Sequence, residues 1–508
     1  MNAPKKTSIM IFAASIVMLA NFPGFAQESF KLSDYKNPDY TYRALDFEFN
    51  LDGHNSLHKE IFNNDLSNSR AHTWFNASLN PTYNARKNTA RYQGFQTARL
   101  GIAPRWSHYR KTDESPVFQE YKTKGGGSSF DFSAQSTNRF YNQKQQFVEL
   151  GFNLQSEFGF GKTKKESLPT SYPFNYKTIS LGSLFSIGIP VAVGMGRIEE
   201  VQDARLAVYI LEDLEKSGDL TRTPDADEIL ELAHFITSIK NKRYFDQRLR
   251  HISEITAVDS LLDAMGLKAK SGASYYTLLN DNWSHSAGPV RSSGSRLSFG
   301  FSPSFRFQPS KHMAYFNDSI ANQSQLSDYK NELRETRTIT GLQLYAQYAL
   351  EKPINLYWQN STFFSAGYSI WKEEDKTKSI ANEVVIKDET IEVTDGRLYI
   401  SASNTVGYYP NSRTSIRLNA RASYFHNFFD YPEDDNEAYS FSPSSISAGI
   451  SALADYYVSP RMRINITLQS QANFRTEKSK SVGPIEELKV KRNSLQTYLT
   501  AGFVYSIF

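Results

Sequence analysis

Apolar and polar side chains alternate along most of this chain with a period of two. Between Phe147 and Phe160, Val148, Leu150, Phe152, Leu154, Phe158 and Phe160 share one parity, while Glu149, Asn153, Gln155 and Glu157 take the other. Successive side chains of a strand point to opposite faces, so such a segment has one greasy and one polar side. The pattern recurs where Met462, Ile464, Ile466 and Leu468 oppose Arg463, Asn465, Thr467 and Gln469. It recurs again where Ile416, Leu418, Ala420 and Ala422 oppose Arg417, Asn419, Arg421 and Ser423. These dyads persist for about 10 to 16 residues, longer than the strands of a soluble sandwich and enough to cross a bilayer at a tilt. The polar parity is rich in Ser, Gln, Asn, Gly and Arg, side chains suited to a wet interior.

The alternation predicts about fourteen strands, over 43–51, 70–83, 90–110, 128–141, 145–160, 176–193, 295–308, 335–350, 354–372, 397–409, 412–428, 444–458, 460–476 and 494–508. Short connectors (84–89, 142–144, 351–353, 410–411 and 459) alternate with long ones, as periplasmic turns alternate with extracellular loops in a membrane barrel. By composition Lys124–Gly127 reads as a flexible outer-loop tip, and Glu373–Lys376 as part of another outer loop.

Between residues 196 and 267 the period changes to 3.6. Val201, Ala204, Val208 and Leu211 form one stripe, and Gly218 can close the helix that carries them. Thr223 before Pro224 reads as the N-cap of a second helix bearing Ile229, Leu232, Ala233, Ile236 and Ile239. Phe245, Leu249, Ile252, Ile255 and Leu262 mark a third, ending at Gly266. Three amphipathic helices predict a small autonomous bundle with Val208, Leu211, Leu232, Ile236, Leu249 and Ile252 as its shared core, inserted in place of a periplasmic turn. Residues 268–294, with Tyr275, Tyr276, Trp283 and His285, show no clear period and read as a linker, a plug or one more hairpin.

At the start of the chain, Lys5 and Lys6 precede an apolar run from Ile9 to Ala20 and a small residue at Ala26. That three-part pattern is that of a secretory signal peptide over residues 1–26. The final segment ends at Phe508 after Leu499, Ala501, Phe503 and Tyr505 on one parity. With this leader, these dyad strands and this terminal strand, the chain resembles a Gram-negative outer-membrane β-barrel protein. The resemblance implies two barrel halves, 27–195 and 295–508, in contact with outer-membrane lipids, and a helical insert in the periplasm.

Composition narrows the chemistry. The 508 residues include no cysteine, which excludes disulfides, thiolate metal sites and a lipidated cysteine. The 57 basic and 53 acidic side chains exclude a bulk nucleic-acid footprint, and the mean hydropathy of −0.51 excludes a helical membrane protein. Between Arg197 and Asp263 fifteen acids face nine bases, so the insert is acidic and the remainder basic. Glu212, Glu215 and Asp219 are its candidate docking face for a periplasmic or envelope partner.

No zincin, serine-hydrolase elbow or phosphate-loop motif is present. His54 and His58 lie four apart with Glu60 nearby and would share a metal only on a helix, so no metal or cofactor is expected. His72, His108 and His426 fall near expected strand ends with no motif to orient them, so an enzyme, such as an outer-membrane hydrolase, is a distant alternative. Arg99, Arg105, Arg139, Arg306, Arg417, Arg421 and Arg463 occupy polar parities beside Glu149, Glu157, Asp131 and Asp455. Two readings of this set stay open, a charged path for solutes and a salt-bridge network that fills a closed lumen. The expected function is therefore either passage of a small polar or anionic solute, or a non-conducting scaffold whose insert recruits an envelope-assembly or secretion partner.

Overall fold

A computed structural model describes residues 30–62, 66–113, 119–168, 174–242, 247–285, 290–318, 327–430, 440–441, 443–459, 462–480 and 488–505. The expected signal peptide, Phe245 of the third helix and the terminal Phe508 lie outside the described residues. One antiparallel sheet of seventeen strand segments dominates. Its first part comprises β1 (Tyr40–Phe62), β2 (Leu66–Thr89), β3 (Tyr92–Asp113), β4 (Gln119–Tyr141), β5 (Gln146–Leu168), β6 (Phe174–Gly188), β7 (Val191–Met195) and β8 (Ile198–Glu200). After four helices follow β9 (Ser292–Asp318), β10 (Ser327–Pro353), β11 (Trp358–Ala381), β12 (Val384–Asn411), β13 (Thr414–Asp430), β14 (Ser440–Phe441), β15 (Ser444–Ser459), β16 (Met462–Lys480) and β17 (Leu488–Tyr505).

Three of these segments continue their neighbours. β6, β7 and β8 pair with β9 at one unbroken offset, through Gly188↔Ser304, Val191↔Phe301 and Ile198↔Gly294. Pro190, which has no N–H, interrupts the ladder without shifting it. Gly196, at φ +87°, makes a second break, where a Cβ would stand 2.2 Å from the Ser295 carbonyl oxygen. β14 and β15 likewise share one register on β16. Each path pairs with the next in sequence, so the seventeen segments form fourteen antiparallel paths in a simple meander. Among the described residues β1 pairs only with β2, and β17 only with β16.

The strands outrun their expected lengths. β4 contains Lys124–Gly127, and β11 runs through Glu373–Lys376 to Ala381, so neither is an open loop. Residues 373–396 form a hairpin that reverses at Asn382 and Glu383, with φ of 46° and 72°. Two consecutive left-handed residues are the signature of a tight turn whose twist matches its flanking strands. At the other end the reversals also fall later than expected: β2 runs to Thr89 and β10 to Pro353. The backbone ladder needs no apolar side chains, so pairing continues where the dyad fades. A search for alternation finds only the part of each strand that has one apolar face.

The helices are α1 (Gln202–Lys216), α2 (Ala226–Lys240), α3 (Gln247–Ala264) and α4 (Ala273–Ser284). Among the described residues there are thus four rather than three, and the unassigned stretch 268–294 contains the fourth. Gly218 and Gly266 lie just past the ends of α1 and α3 with φ of 74° and 66°, the left-handed geometry that glycine adopts without strain. The cap of α2 is Asp225, not Thr223: its carboxylate accepts from the Glu228 amide at 2.9 Å, and Glu228 accepts from the Asp225 amide at 3.0 Å. This reciprocal box satisfies two orphan donors, which a lone threonine two residues earlier does not.

Nearly all conventional core lies in this helical unit. Ala204, Ile210, Leu214, Leu232, Ile236, Val258, Leu262, Tyr275 and Leu279 are fully buried. Of the six expected core residues, Val208, Leu211, Leu232 and Ile236 are buried, whereas Leu249 and Ile252 are 54% and 56% exposed. The inward stripe of α3 is instead Glu254, Val258 and Leu262, one turn apart. The buried Glu254 carboxylate accepts from Trp283 Nε1 at 2.9 Å and from Arg250 at 2.7 Å. A charged residue in the packed stripe is what hid it from an apolar periodicity. Its core does not stop at the helices but is continuous with Phe30, Leu32 and Tyr35 before β1 and with Leu356 between β10 and β11.

Ile236→Ala should therefore destabilise the helical unit by roughly 2–5 kcal/mol through loss of buried methylenes and a residual cavity. Leu249→Ala should cost under about 1 kcal/mol as a surface change. Urea titration followed by the helical circular-dichroism signal compares the two. Equal costs would restore Leu249 to the core.

Candidate functional site

Residues directly opposite in an antiparallel pair share a face, so the register alone sorts the sheet into two sides. On one side stand Phe49, Phe152, Phe158, Phe299, Leu344, Ile450 and Leu468, all between 42% and 62% exposed. On the other the register traces a polar row across five paths: Arg99↔Ser133, Ser133↔Gln155, Gln155↔Ser186, Ser186↔Arg306. Arg105, Arg139, Glu149, Glu157 and Asp131 lie on that same face. In the later paths Arg417, Arg421, Asp455 and Arg463 do so too.

The charges of this face are partly self-satisfied. Arg139 meets Glu149 at 2.6 Å, and Arg417 meets Asp455 at 3.2 Å. Arg99 donates to Asn80 Oδ1 at 3.2 Å and Arg421 to Gln471 Oε1 at 2.7 Å, while Arg463 Nη1 lies 3.5 Å from the Tyr457 hydroxyl. A cavity of about 570 Å³ opens on this face, bordered by Arg99, Asp131, Ser133, Gln155, Glu157 and Gln308. Toward the helices a second, of about 380 Å³, is lined by uncharged amides and hydroxyls, among them Gln135, Asn153, Ser186, Ser302 and Ser304. The surface offers many hydrogen bonds, mixed charge and no dominant sign.

The helical unit covers the short-turn end of this polar face. Tyr209 on α1 donates its hydroxyl to the Tyr409 carbonyl, a buried contact at 2.5 Å. The Arg205 and Arg291 guanidiniums both lie over the Tyr409 ring, 5.6 and 5.4 Å from its centroid. Burial pushes the Tyr209 hydroxyl up to about 12 and pulls the Arg205 guanidinium below its ordinary value. Arg291, wholly buried, donates to the carbonyls of Asn355 and Trp358 at 2.8 and 2.9 Å and to that of Leu356, gripping the β10–β11 turn. Arg413, between β12 and β13, binds both carboxylate oxygens of Asp281 on α4, which holds its guanidinium above the usual range. The His285 ring packs edge-on to Tyr457 of β15 at 5.6 Å. On the opposite flank α1 and α2 face Tyr40 and Tyr42 of β1 across a cavity of about 320 Å³, and Tyr35 bonds Thr237 at 2.6 Å. One small helical unit thus reaches polar-face residues near both ends of the meander.

The expected docking residues are separated. Glu215 is exposed and accepts from Thr223, and Glu212 is half-buried beside Lys216 at 3.5 Å. Asp219 is only 7% exposed and is no docking residue. Its amide donates to the Leu214 carbonyl at 2.9 Å and its carboxylate accepts from Ser217 at 2.6 Å, so it closes the end of α1. His54 and His58 lie on β1, where four residues span about 13 Å, too far to share an ion. His58 instead meets Glu60 at 3.0 Å. His72 lies on the polar face, 6.1 Å from Tyr109, whereas His108 and His426 lie on the apolar one.

Sequence reasoning missed the anchors Tyr209, Arg291, Tyr409, Arg413 and Asp281. A signal for some was present: Tyr141, Phe147, Tyr409 and Tyr457 are large aromatics on the polar parity, close to the short turns. Aromatic side chains there announce a surface that is packed rather than wet.

Arg413→Ala and Asp281→Ala should each loosen α4 from the sheet. A double-mutant cycle should return a coupling of about 1–2 kcal/mol, since the bidentate pair is partly exposed. Hydrogen exchange across residues 273–284 should quicken equally in both variants, and additive effects would show that the pair does not hold the unit. No protein-family model matches the sequence and no curated protein matches it, so the reading of this site rests on its own geometry.

Proposed function

We propose that this chain is an outer-membrane β-barrel protein, closed by pairing of β1 with β17. Its polar interior serves as a conduit for a small polar solute, gated at the periplasmic end by the helical unit. The observation that carries the reading is the uncovered apolar face, whose large side chains stand exposed along the whole meander. Water does not tolerate an apolar surface of that extent, whereas a bilayer requires one. The band has a suitable height. On β5 it runs from Val148 to Phe160 before Lys162 and Lys164 begin. Those residues span about 40 Å along the strand, or about 30 Å at a barrel's usual tilt.

Closure is supported from three directions. β1 and β17 run antiparallel within the meander, and among the described residues each has an unpaired edge. Such edges are untenable in lipid, where every backbone group needs a partner. The helical unit reaches both flanks, which curls the sheet around it. The same unit argues against a simple diffusion pore, because it covers the short-turn end with buried contacts. A second reading, a scaffold for an envelope partner, is favoured by the exposed apolar Ile252 on α3 and the exposed acid Glu215.

The lipid-facing assignment predicts opposite sensitivities on adjacent parities. Leu150→Arg should cost roughly 2–4 kcal/mol in a refolding titration into vesicles, and Gln155→Arg much less. Equal costs would overturn the barrel.

The gate predicts low conductance for the wild-type protein in planar bilayers and frequent openings for Arg413→Ala combined with Asp281→Ala. A silent double variant whose α4 is shown by proteolysis to be displaced would remove the conduit and leave the scaffold. Recovery of a cross-linked envelope partner through α3 would support that alternative.

A further inference from the structure

Just beyond the apolar band, on the apolar side of the sheet, the register sets like charges side by side. Lys124 of β4 lies directly opposite Lys164 of β5, and Lys164 directly opposite Lys177 of β6. His108 of β3 continues the row on one side, opposite Lys124, and Tyr315 of β9 on the other, opposite Lys177. One step away, Arg110 lies opposite Lys122, and Lys162 sits one residue pair from Lys164. Like charges directly opposed across strands are destabilising. The local acids do not balance them. Glu120 is shared by Arg110 and Lys122, and Glu166 serves Lys164. Lys124, Lys162 and Lys177 have no ion pair to a carboxylate among the described residues, and the Nε2 of His108 is buried with no hydrogen-bond partner. Directly beneath stand Trp106, Phe130, Phe158 and Phe160, all exposed on the same face.

On β9–β11 Lys311 lies opposite Arg334 and Arg334 opposite Lys378, but there Glu332 pairs with both Lys311 and Arg334. On β11 and β12, Lys372 meets Glu392, Lys376 meets Glu374 and Lys378 meets Asp388. Lys478 of β16 also lies opposite Lys489 of β17, so what marks β3–β6 is three laterally adjacent lysines, two of them without a carboxylate partner among the described residues.

We propose that Lys124, Lys164 and Lys177, flanked by Lys122 and Lys162, bind the phosphate-bearing headgroup of a lipid whose acyl chains lie on the aromatic surface below. This rests on the membrane reading above, which places the row at the headgroup level of the leaflet farther from the helical unit. A phosphate supplies countercharge to three adjacent ammonium groups, of which Lys124 and Lys177 have no carboxylate partner among the described residues, and the aromatic side chains supply the apolar contact that a free anion would not use.

The test uses the full-length protein in neutral detergent with dioleoyl phosphatidic acid or dioleoyl phosphatidylcholine added, and bound lipid counted by native mass spectrometry. Wild-type protein should retain phosphatidic acid in preference to phosphatidylcholine. Combined K124Q, K164Q and K177Q should weaken that retention on the order of 10- to 100-fold, and salt should weaken it in the wild type. Combined K372Q, K376Q and K378Q should leave it unchanged. In phosphatidylcholine alone the first triple variant should melt no lower than wild type, because it relieves repulsion. Unchanged retention in that variant, or no preference for phosphatidic acid in the wild type, would overturn the site. So would full displacement of the lipid by millimolar inorganic phosphate, which would mark a simple anion site. If the membrane reading itself fails, the protein does not insert into phosphatidylcholine vesicles at all. Insertion without headgroup preference removes only the lysine row.

Discussion

Everything in this molecule depends on one phase relation. Each strand path turns its apolar parity to the same side, and the lateral hydrogen bonds lock that phase from β1 to β17. A slip of one residue in any pair would turn a row of Phe and Leu into the polar face and a row of Arg and Gln out of it. The tolerance is small because the two faces are so different. The apolar side is exposed almost everywhere, while the other side collects amides, hydroxyls and mixed charge. The absence of a register shift through Pro190 and Gly196 follows from the same constraint. The path can break its ladder there, but it cannot change phase.

The helical unit obeys the opposite physics. It has a dry core of aliphatic side chains at low exposure and, among the described residues, is the only part that resembles a soluble domain. Its attachment is nevertheless intimate. Tyr35, Leu356 and Tyr409 belong as much to the sheet as to the helices. The anchoring bonds converge on carbonyls and side chains at the short turns, through Arg291, Arg413 and Tyr209. Such an arrangement couples the helices to the turns between β10 and β13, which is what a gate needs and what an inert insert does not.

Charge is distributed by face as well as by domain. On the polar face cations and acids interleave, so the surface is hydrated without a dominant field. On the apolar face charge appears only beyond the band, and most of it is paired there. Over β3–β6 the backbone register, not side-chain flexibility, sets three ammonium groups side by side.

The sequence by itself determined the dyad, its fourteen repetitions, and the faces to which Arg99, Arg306, Arg421 and Leu150 belong, because a period of two is a local property that no tertiary contact can alter. It also determined that helices interrupt the strands, and that Gly218 and Gly266 end two of them. Tertiary structure decided what alternation could not express. Strand lengths follow from backbone pairing that outlasts the apolar pattern, which turned expected loops such as Glu373–Lys376 into hairpin. The inward stripe of α3 was set by its neighbours, with Glu254 buried against Trp283 and Leu249 left outside. Asp219 became a helix closure instead of a docking acid because the chain turns back on itself there. The anchors between Tyr209 and Tyr409, or Asp281 and Arg413, join residues more than a hundred positions apart, and no local period records a contact of that range.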